Sequence, residues 1–182
     1  VLFSALPTSE HELVELRPIV EADLVDWYAY LSQPVVYEHT SWNLSSKDEL
    51  AHYAEPSSLV SAESLLRMAV ALRSSGKLVG TVGFHSVSPL DRRAELAFDL
   101  SPEVWGKGIA THVCATLVEW AHAQAGVIRV QATALQSNLR SAAVLSRCGF
   151  QFEGVLRSYR VVRGAPGNFG MYAHLVPGSG VT

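Results

Sequence analysis

Charge is scarce in this chain. Charged residues make up 17% of its 182, and the net charge is −3 with histidines neutral. No run of lysine or arginine offers a footprint for nucleic acid, so direct nucleic-acid binding is not expected. A mildly acidic balance does not repel a basic peptide or an amine. Cysteine is scarcer still. Cys114 and Cys148 are the two, and they lack metal-type spacing. That suits a reducing cytoplasm, where both stay thiols, and the expected location is cytoplasmic. No apolar stretch approaches the length needed to span a membrane. Residues 1–10 lack the positive start and long apolar run of a signal peptide. What is abundant is apolar surface, at 48% of residues, which marks a folded globular protein. The length fits one domain with a sizeable core, read as residues 1–182 with the core at about 11–176.

Patterning predicts the elements. Residues 13–19 alternate as a strand, and residues 21–31 carry helical spacing at Leu24, Trp27, Tyr28 and Leu31, with Pro34 as the stop. Residues 37–44 have no period and read as a loop. Ser46 before Lys47-Asp48-Glu49 is an N-cap with an acidic first turn, for a short helix to Ala54. Residues 56–58 are loop. Strands follow at 65–72, 78–85 and 93–100, the first two joined by a glycine-bearing hairpin at 73–77. A helix at 109–125 shows an apolar stripe of Ile109, Val113, Leu117 and Trp120, and Gly126 ends it. A strand at 127–134 and a helix at 138–148 lead to strands at 150–162 and 169–176, connected through turn material at 163–168. The order gives an α/β fold with a mixed sheet of about seven strands and four helices.

The stretch Trp105-Gly106-Lys107-Gly108-Ile109-Ala110-Thr111 carries the chemistry. It lies between a strand and an apolar helix. Two glycines allow a tight turn and leave backbone N–H groups uncovered. The helix start adds unpaired donors and the positive end of its dipole, which together make a phosphate or pyrophosphate pocket. A P-loop requires G-x-x-x-x-G-K-[ST], but Ser101 stands at the first glycine position and Gly108 follows Lys107. A dinucleotide fingerprint requires a third glycine where Thr111 stands, and an early position in the chain. Both patterns fail on residues.

A third pattern, [QR]-x-x-G-x-[GA], is the acetyl-CoA turn of the Gcn5-related N-acetyltransferases. Gly108 and Ala110 match its last two positions, and Trp105 departs from its first. Trp105-Gly106-Lys107-Gly108 resembles the RimJ/RimL-like branch, which modifies N-termini of ribosomal proteins. Asn138-x-x-Ser141 followed by Gly149-Phe150 resembles the family's second pattern, and Glu153-Gly154-Val155-Leu156-Arg157 resembles the segment that follows in that branch. Asn168 stands where the branch carries Asp, a second departure, and Tyr172 keeps its Tyr. The resemblance spans residues 78–175.

The resemblance implies an N-acetyltransferase that uses acetyl-CoA as co-substrate. It implies a splayed sheet, with strands 93–100 and 127–134 parallel and diverging. The pantetheine arm would bond to backbone near Phe98 and Leu100, and the pyrophosphate would rest on amides from Gly106 to Thr111 (Gly106, Lys107, Gly108, Ile109, Ala110, Thr111), beside Trp105. A backbone N–H near Phe98 would hold the oxyanion. Many relatives protonate the thiolate with a Tyr seven residues after the Asn, and here that position is Leu145. Ser141 shares a helix face with Asn138, which would contact the cofactor, and Ser141 is the expected acid. Its plainer role is a first-turn hydroxyl bonded to backbone. Tyr159 and Tyr172 are the reserves. Glu95 is the expected base, or else a solvated strand residue. Glu38, His39 and Trp42 lie where this branch builds its acceptor pocket, or else on a mobile polar loop. His85 reads as an edge residue. His112 and His122 share a helix face about 15 Å apart, too far for one metal, and no metal is assigned. The acceptor is a protein N-terminal amine, or alternatively a small-molecule amine. A non-catalytic acyl-CoA-binding module and either a monomer or a homodimer stay open.

Overall fold

The computed structural model describes residues 6–55, 67–176 and 178. Residues 56–58 and the first two residues of the strand expected at 65–72 lie outside them. The strands are β1 (Val14–Pro18), β2 (Arg67–Leu72), β3 (Leu78–Ser88), β4 (Arg93–Leu100), β5 (Arg129–Leu135), β6 (Gln151–Val162) and β7 (Ala165–Leu175). They form one sheet in the order β1-β2-β3-β4-β5-β7-β6. The β4–β5 pair is parallel and every other neighbouring pair is antiparallel. The α-helices are α1 (Asp23–Leu31), α2 (Pro34–Tyr37), α3 (Ile109–Gln124) and α4 (Leu139–Arg147).

Both faces of the central strands are covered. The stripe of α3, Ile109, Val113, Leu117 and Trp120, is buried against Val82, Phe84, Leu96 and Val130. On the opposite face Leu24, Trp27 and Leu31 of α1 pack with Leu50, Tyr53, Ala69 and Leu78. Strands covered on both sides need apolar residues at successive positions, and β2 supplies them in Met68-Ala69-Val70-Ala71.

Four local expectations are corrected. Pro34 ends nothing by itself: α1 has stopped at Leu31, and Pro34 opens α2, whose first turn needs no N–H from it. Tyr37 is the last residue of α2, so the loop expected at 37–44 starts one residue later. Ser46 and Glu49 do form a capping box, but residues 47–54 wind as a 3₁₀ helix. Its threefold repeat puts Leu50 and Tyr53 on one edge, and both are buried. The last hairpin closes in two residues, Arg163 (φ 50°) and Gly164 (φ 78°), which is the positive-φ turn that matches strand twist. Residues 165–168 are thus part of β7 rather than the connection. Finally, β3 is interior and runs on to Ser88, so His85 is not an edge residue.

Candidate active site

Strands β4 and β5 separate almost as soon as they meet. They pair only at Arg93–Arg129, Ala94–Val130 and Glu95–Gln131. From Leu96 onward β4 makes no ladder pairs with β5. Which backbone groups face that gap follows from register. Ser101 N–H donates to Val79 C=O at 2.8 Å, so the 79–101 pair is hydrogen-bonded, and alternation makes 81–99 and 83–97 the next such pairs. Phe98 and Leu100, at the intervening positions, turn their N–H and C=O groups away from β3 into the gap. These are the two residues expected to receive an extended ligand.

The glycine turn lies at the end of the same gap. Gly106 (φ 77°) and Gly108 (φ 76°) are both left-handed, a conformation that costs any other residue. No protein atom lies within 4 Å of where a Cβ on either would project. The first α3 bond runs from His112 N–H to Gly108 C=O at 3.0 Å, so the amides of Ile109, Ala110 and Thr111 precede the helical ladder. Trp105, at the position where the pattern has Gln or Arg, closes the turn by donating its indole N–H to Leu100 C=O at 2.9 Å. The Arg140 guanidinium lies over its ring, 4.3 Å from the centroid.

Two cavities open here. The larger, ≈ 660 Å³, is lined by Leu100, Trp105, Gly106, Gly108, Ile109, Ala110 and Thr111 on one wall and by α4 on the other. Lys107 is exposed and lines neither cavity. The smaller, ≈ 330 Å³, is lined by Trp42, Asn43, Tyr53, Arg67, His85, Glu95, Arg160 and Val161 among others. The two meet at His39, Thr40, Phe98, Asp99, Asn138 and Ser141. Asn138 is committed to structure: its Oδ1 accepts the Ser141 N–H at 3.0 Å and its Nδ2 donates to His39 C=O at 2.9 Å. The Ser141 hydroxyl, by contrast, has no hydrogen bond among the described residues, so it is not spent on the backbone. Leu145 is buried and lines the smaller cavity as an apolar group.

The carboxylates of the smaller cavity are all paired. Glu95 is 7% exposed, which removes the solvated alternative. It accepts from Arg160 Nη2 and from Thr133 Oγ1, each at 3.0 Å. Asp99 accepts from Trp27 Nε1 at 3.1 Å, from Thr81 Oγ1 at 2.9 Å, and from Arg67 and Tyr30. Burial, followed by the charge of Asp99, pushes the Tyr30 phenol well above its ordinary pKa. Trp27 and Trp42 flank the Arg67 guanidinium at 6.0 Å each, so this aromatic box is filled by the protein's own cation.

The loop at 37–43 is strapped in place from two sides. Arg163, at the tip of the β6–β7 hairpin, donates to Tyr37 and Thr40 carbonyls at 3.0 Å and to Glu38 C=O at 3.1 Å. Asn43 accepts the Arg163 N–H at 2.7 Å and donates to Val161 C=O at 3.2 Å. On the other side His39 meets Ser137 Oγ at 3.4 Å. This brings His39 and Trp42 to the cavities but leaves the Glu38 side chain exposed outside both. Tyr159 and Tyr172 also line neither; they pack on Phe169 and Phe152. Asn168 supplies a carbonyl oxygen to the Ser158 N–H at 2.8 Å where β6 is irregular, a bond that needs an acceptor but no charge.

Sequence reasoning missed Arg140 and Arg147 of α4, which line the larger cavity. Their spacing of two helical turns on one face was the available signal. Arg67, Arg160 and Arg163 carried none, because their partners are remote in sequence. Cys114 and Cys148 are free thiols, with burial pushing Cys148 up to about 11 and Cys114 well above its ordinary value. Among the described residues no helix is long and apolar enough to cross a membrane.

A parallel pair that opens into a V, with bare main-chain donors along one arm and a helix start at its end, defines an acyltransferase that takes its acyl group from coenzyme A. Residues 14–151 match the acetyltransferase (GNAT) domain model, and the chain belongs to that family. It is an acetyl-CoA-dependent N-acetyltransferase. The uncharacterized N-acetyltransferase YoaA of Bacillus subtilis is 29% identical over 173 residues, 94% of this chain and 98% of that protein. The ribosomal-protein-serine acetyltransferase of Escherichia coli is 28% identical over 101 residues, 55% of this chain and 56% of that one. The spermidine N-acetyltransferase of Vibrio cholerae, solved with CoA and spermine, superposes with a TM-score of 0.76 at 19% identity, covering 91% of this chain and 96% of that one.

Proposed function

We propose that the larger cavity holds acetyl-CoA, that the smaller admits the acceptor, and that the acceptor is the α-amine of a protein N-terminus. The observation that carries this reading is the junction of the two cavities at Phe98 and Ser141. A thioester carried along β4 would present its carbonyl to the Phe98 main chain, its sulfur to Ser141 and its open face to the smaller cavity. Amides 106–111 would take the diphosphate, with Arg140 and Arg147 supplying charge from the opposite wall.

An α-amine suits the site because its pKa, near 8, asks for only a modest base, whereas a lysine amine near 10.4 asks for more. The pairing of Glu95 and Asp99 with arginines supports the same choice. A polyamine is held by unneutralised carboxylates, and among the described residues neither cavity is lined by one that lacks an arginine partner. The relationship to the Escherichia coli enzyme supports a protein acceptor; the likeness to the spermidine enzyme makes a small amine the rival. Two free thiols suit a reducing cytoplasm as the working compartment.

Thiol release from acetyl-CoA, measured with peptides bearing a free N-terminus, the same peptides blocked at that end, free amino acids and spermidine, tests the reading. Turnover with the free peptides and none with the blocked ones is expected. Turnover confined to spermidine or amino acids overturns the protein acceptor and leaves the cofactor half intact.

A further inference from the structure

We propose that His85 is the group that takes the proton from the acceptor amine, in place of Glu95. The inference rests on the reading above that the smaller cavity admits the acceptor.

The geometry begins with a backbone irregularity. In the β3–β4 ladder Phe84 faces Leu96 and Ser86 faces Glu95, so His85 is an extra residue with no partner of its own. A β-bulge of this kind re-aims a side chain, and bulges collect beside active sites. Here the bulge delivers an imidazole to the lining of the smaller cavity from a strand in the interior of the sheet.

The chemistry proceeds by comparing what lines the cavity. Glu95 already accepts from an arginine and a threonine, and Asp99 from four donors. Protonating either would break an ion pair, so both are poor bases. The Tyr53 phenol is held above its ordinary pKa by burial and stays protonated. His39 leans on Ser137 at the opposite wall. His85 has no hydrogen-bond partner among the described residues. The charged groups facing it are Arg160 of β6, Glu95 of β4 and Arg67 of β2, two cations against one anion. The ring is solvent-accessible, and partial desolvation, and then the charge of Arg160, lower its pKa from the ordinary histidine value, which favours the neutral imidazole with a free lone pair.

The step balances without a further reactant. The ammonium passes one proton to His85, which releases it to solvent. The freed amine forms a C–N bond to the thioester carbon, and the C–S bond breaks. The second proton lost by nitrogen is matched by the one the departing thiolate gains, through the Ser141 hydroxyl.

The test is kinetic. His85→Gln, His39→Gln, Glu95→Gln and Val161→Trp are compared for kcat and KM from about pH 5.5 to about 9.5, a range that brackets the histidine and α-amine pKa values. Coenzyme A binding is followed by calorimetry as a check on folding. His85→Gln is expected to lower kcat about a hundredfold at pH 7 and to flatten the acidic limb, with coenzyme A binding unchanged. The deficit should shrink near pH 9 for an α-amine, which has then lost its own proton, and persist for an amine of pKa about 10.4. His39→Gln should change acceptor KM and leave the limb in place. An unchanged profile in His85→Gln overturns the proposal, as does a limb lost in His39→Gln or Glu95→Gln alone. Val161 is exposed on the cavity rim. Should Val161→Trp leave acceptor KM unaltered, the acceptor cavity itself is misassigned, a failure distinct from that of His85.

Discussion

The two halves of the site are built in opposite ways. The cofactor half is made of main chain. Its donors are the amides at the start of α3 and the exposed arm of β4, drawn from residues 98–111 and faced by α4 and by Val35 and Val36 of α2. The acceptor half is made of side chains gathered from β2, β3, β4, β6 and the loop at 37–43, held by Arg163, Asn43 and two arginine–carboxylate pairs. A main-chain site tolerates almost any side chain provided the backbone conformation is kept. A side-chain site changes its ligand with each substitution. That contrast explains how one fold accommodates a spermidine enzyme and a ribosomal-protein enzyme.

The largest expected effect falls where the halves meet. Ser141→Ala should lower kcat about a hundredfold or more while coenzyme A still binds, measured by steady-state kinetics beside calorimetry. Undiminished turnover would remove Ser141 as the acid. Next comes Asp99, which belongs to both sides. Removing its carboxylate leaves Arg67 buried and unpaired, and Asp99→Ala should cost about 3–5 kcal/mol in urea unfolding. A loss under about 1 kcal/mol would mean that the network carries little of the fold.

Smaller effects separate the halves. Gly108→Val forces a β-branched residue into a left-handed turn, at about 1–2 kcal/mol, and displaces the amides, so acetyl-CoA affinity should fall about tenfold or more. Lys107→Ala should alter it less than about threefold, since that side chain is exposed outside the cavity. Equal losses in the two variants would argue for a charge-held phosphate instead of an amide-held one. On the other half, Arg163→Ala unties the loop at 37–43 and should raise acceptor KM about tenfold with little change in acetyl-CoA KM. If both KM values rise together, the loop serves both cavities equally.

The same contrast decided what could be read from sequence. The glycine turn, the apolar stripe of α3 and the Asn138–Ser141 spacing are local patterns, and the structure forms each of them where the pattern lies. In sequence the positive-φ pair at Arg163-Gly164 merges into a longer connection because the glycine at 167 and the proline at 166 resemble turn residues, though both fit within β7. The edge position expected of His85 fails because strand order is not written in any one segment, and a bulge leaves no trace in alternation. Glu38 lies in the segment where the resemblance puts the acceptor pocket, but its carbonyl is taken by Arg163 and its side chain is exposed outside both cavities. Arg67 and Asp99 are 32 positions apart and Arg163 and Tyr37 are 126 apart, beyond the reach of any local pattern.

The central claim is that uncovered amides at the start of α3 grip the diphosphate of coenzyme A. A crystal structure with coenzyme A bound tests it most directly. The account predicts phosphate oxygens within hydrogen-bond distance of main-chain nitrogens in 106–111, with the pantetheine arm running past Leu100 and Phe98 toward Ser141. Coenzyme A lodged elsewhere, or its phosphates held by arginine side chains alone with those nitrogens facing solvent, would contradict it.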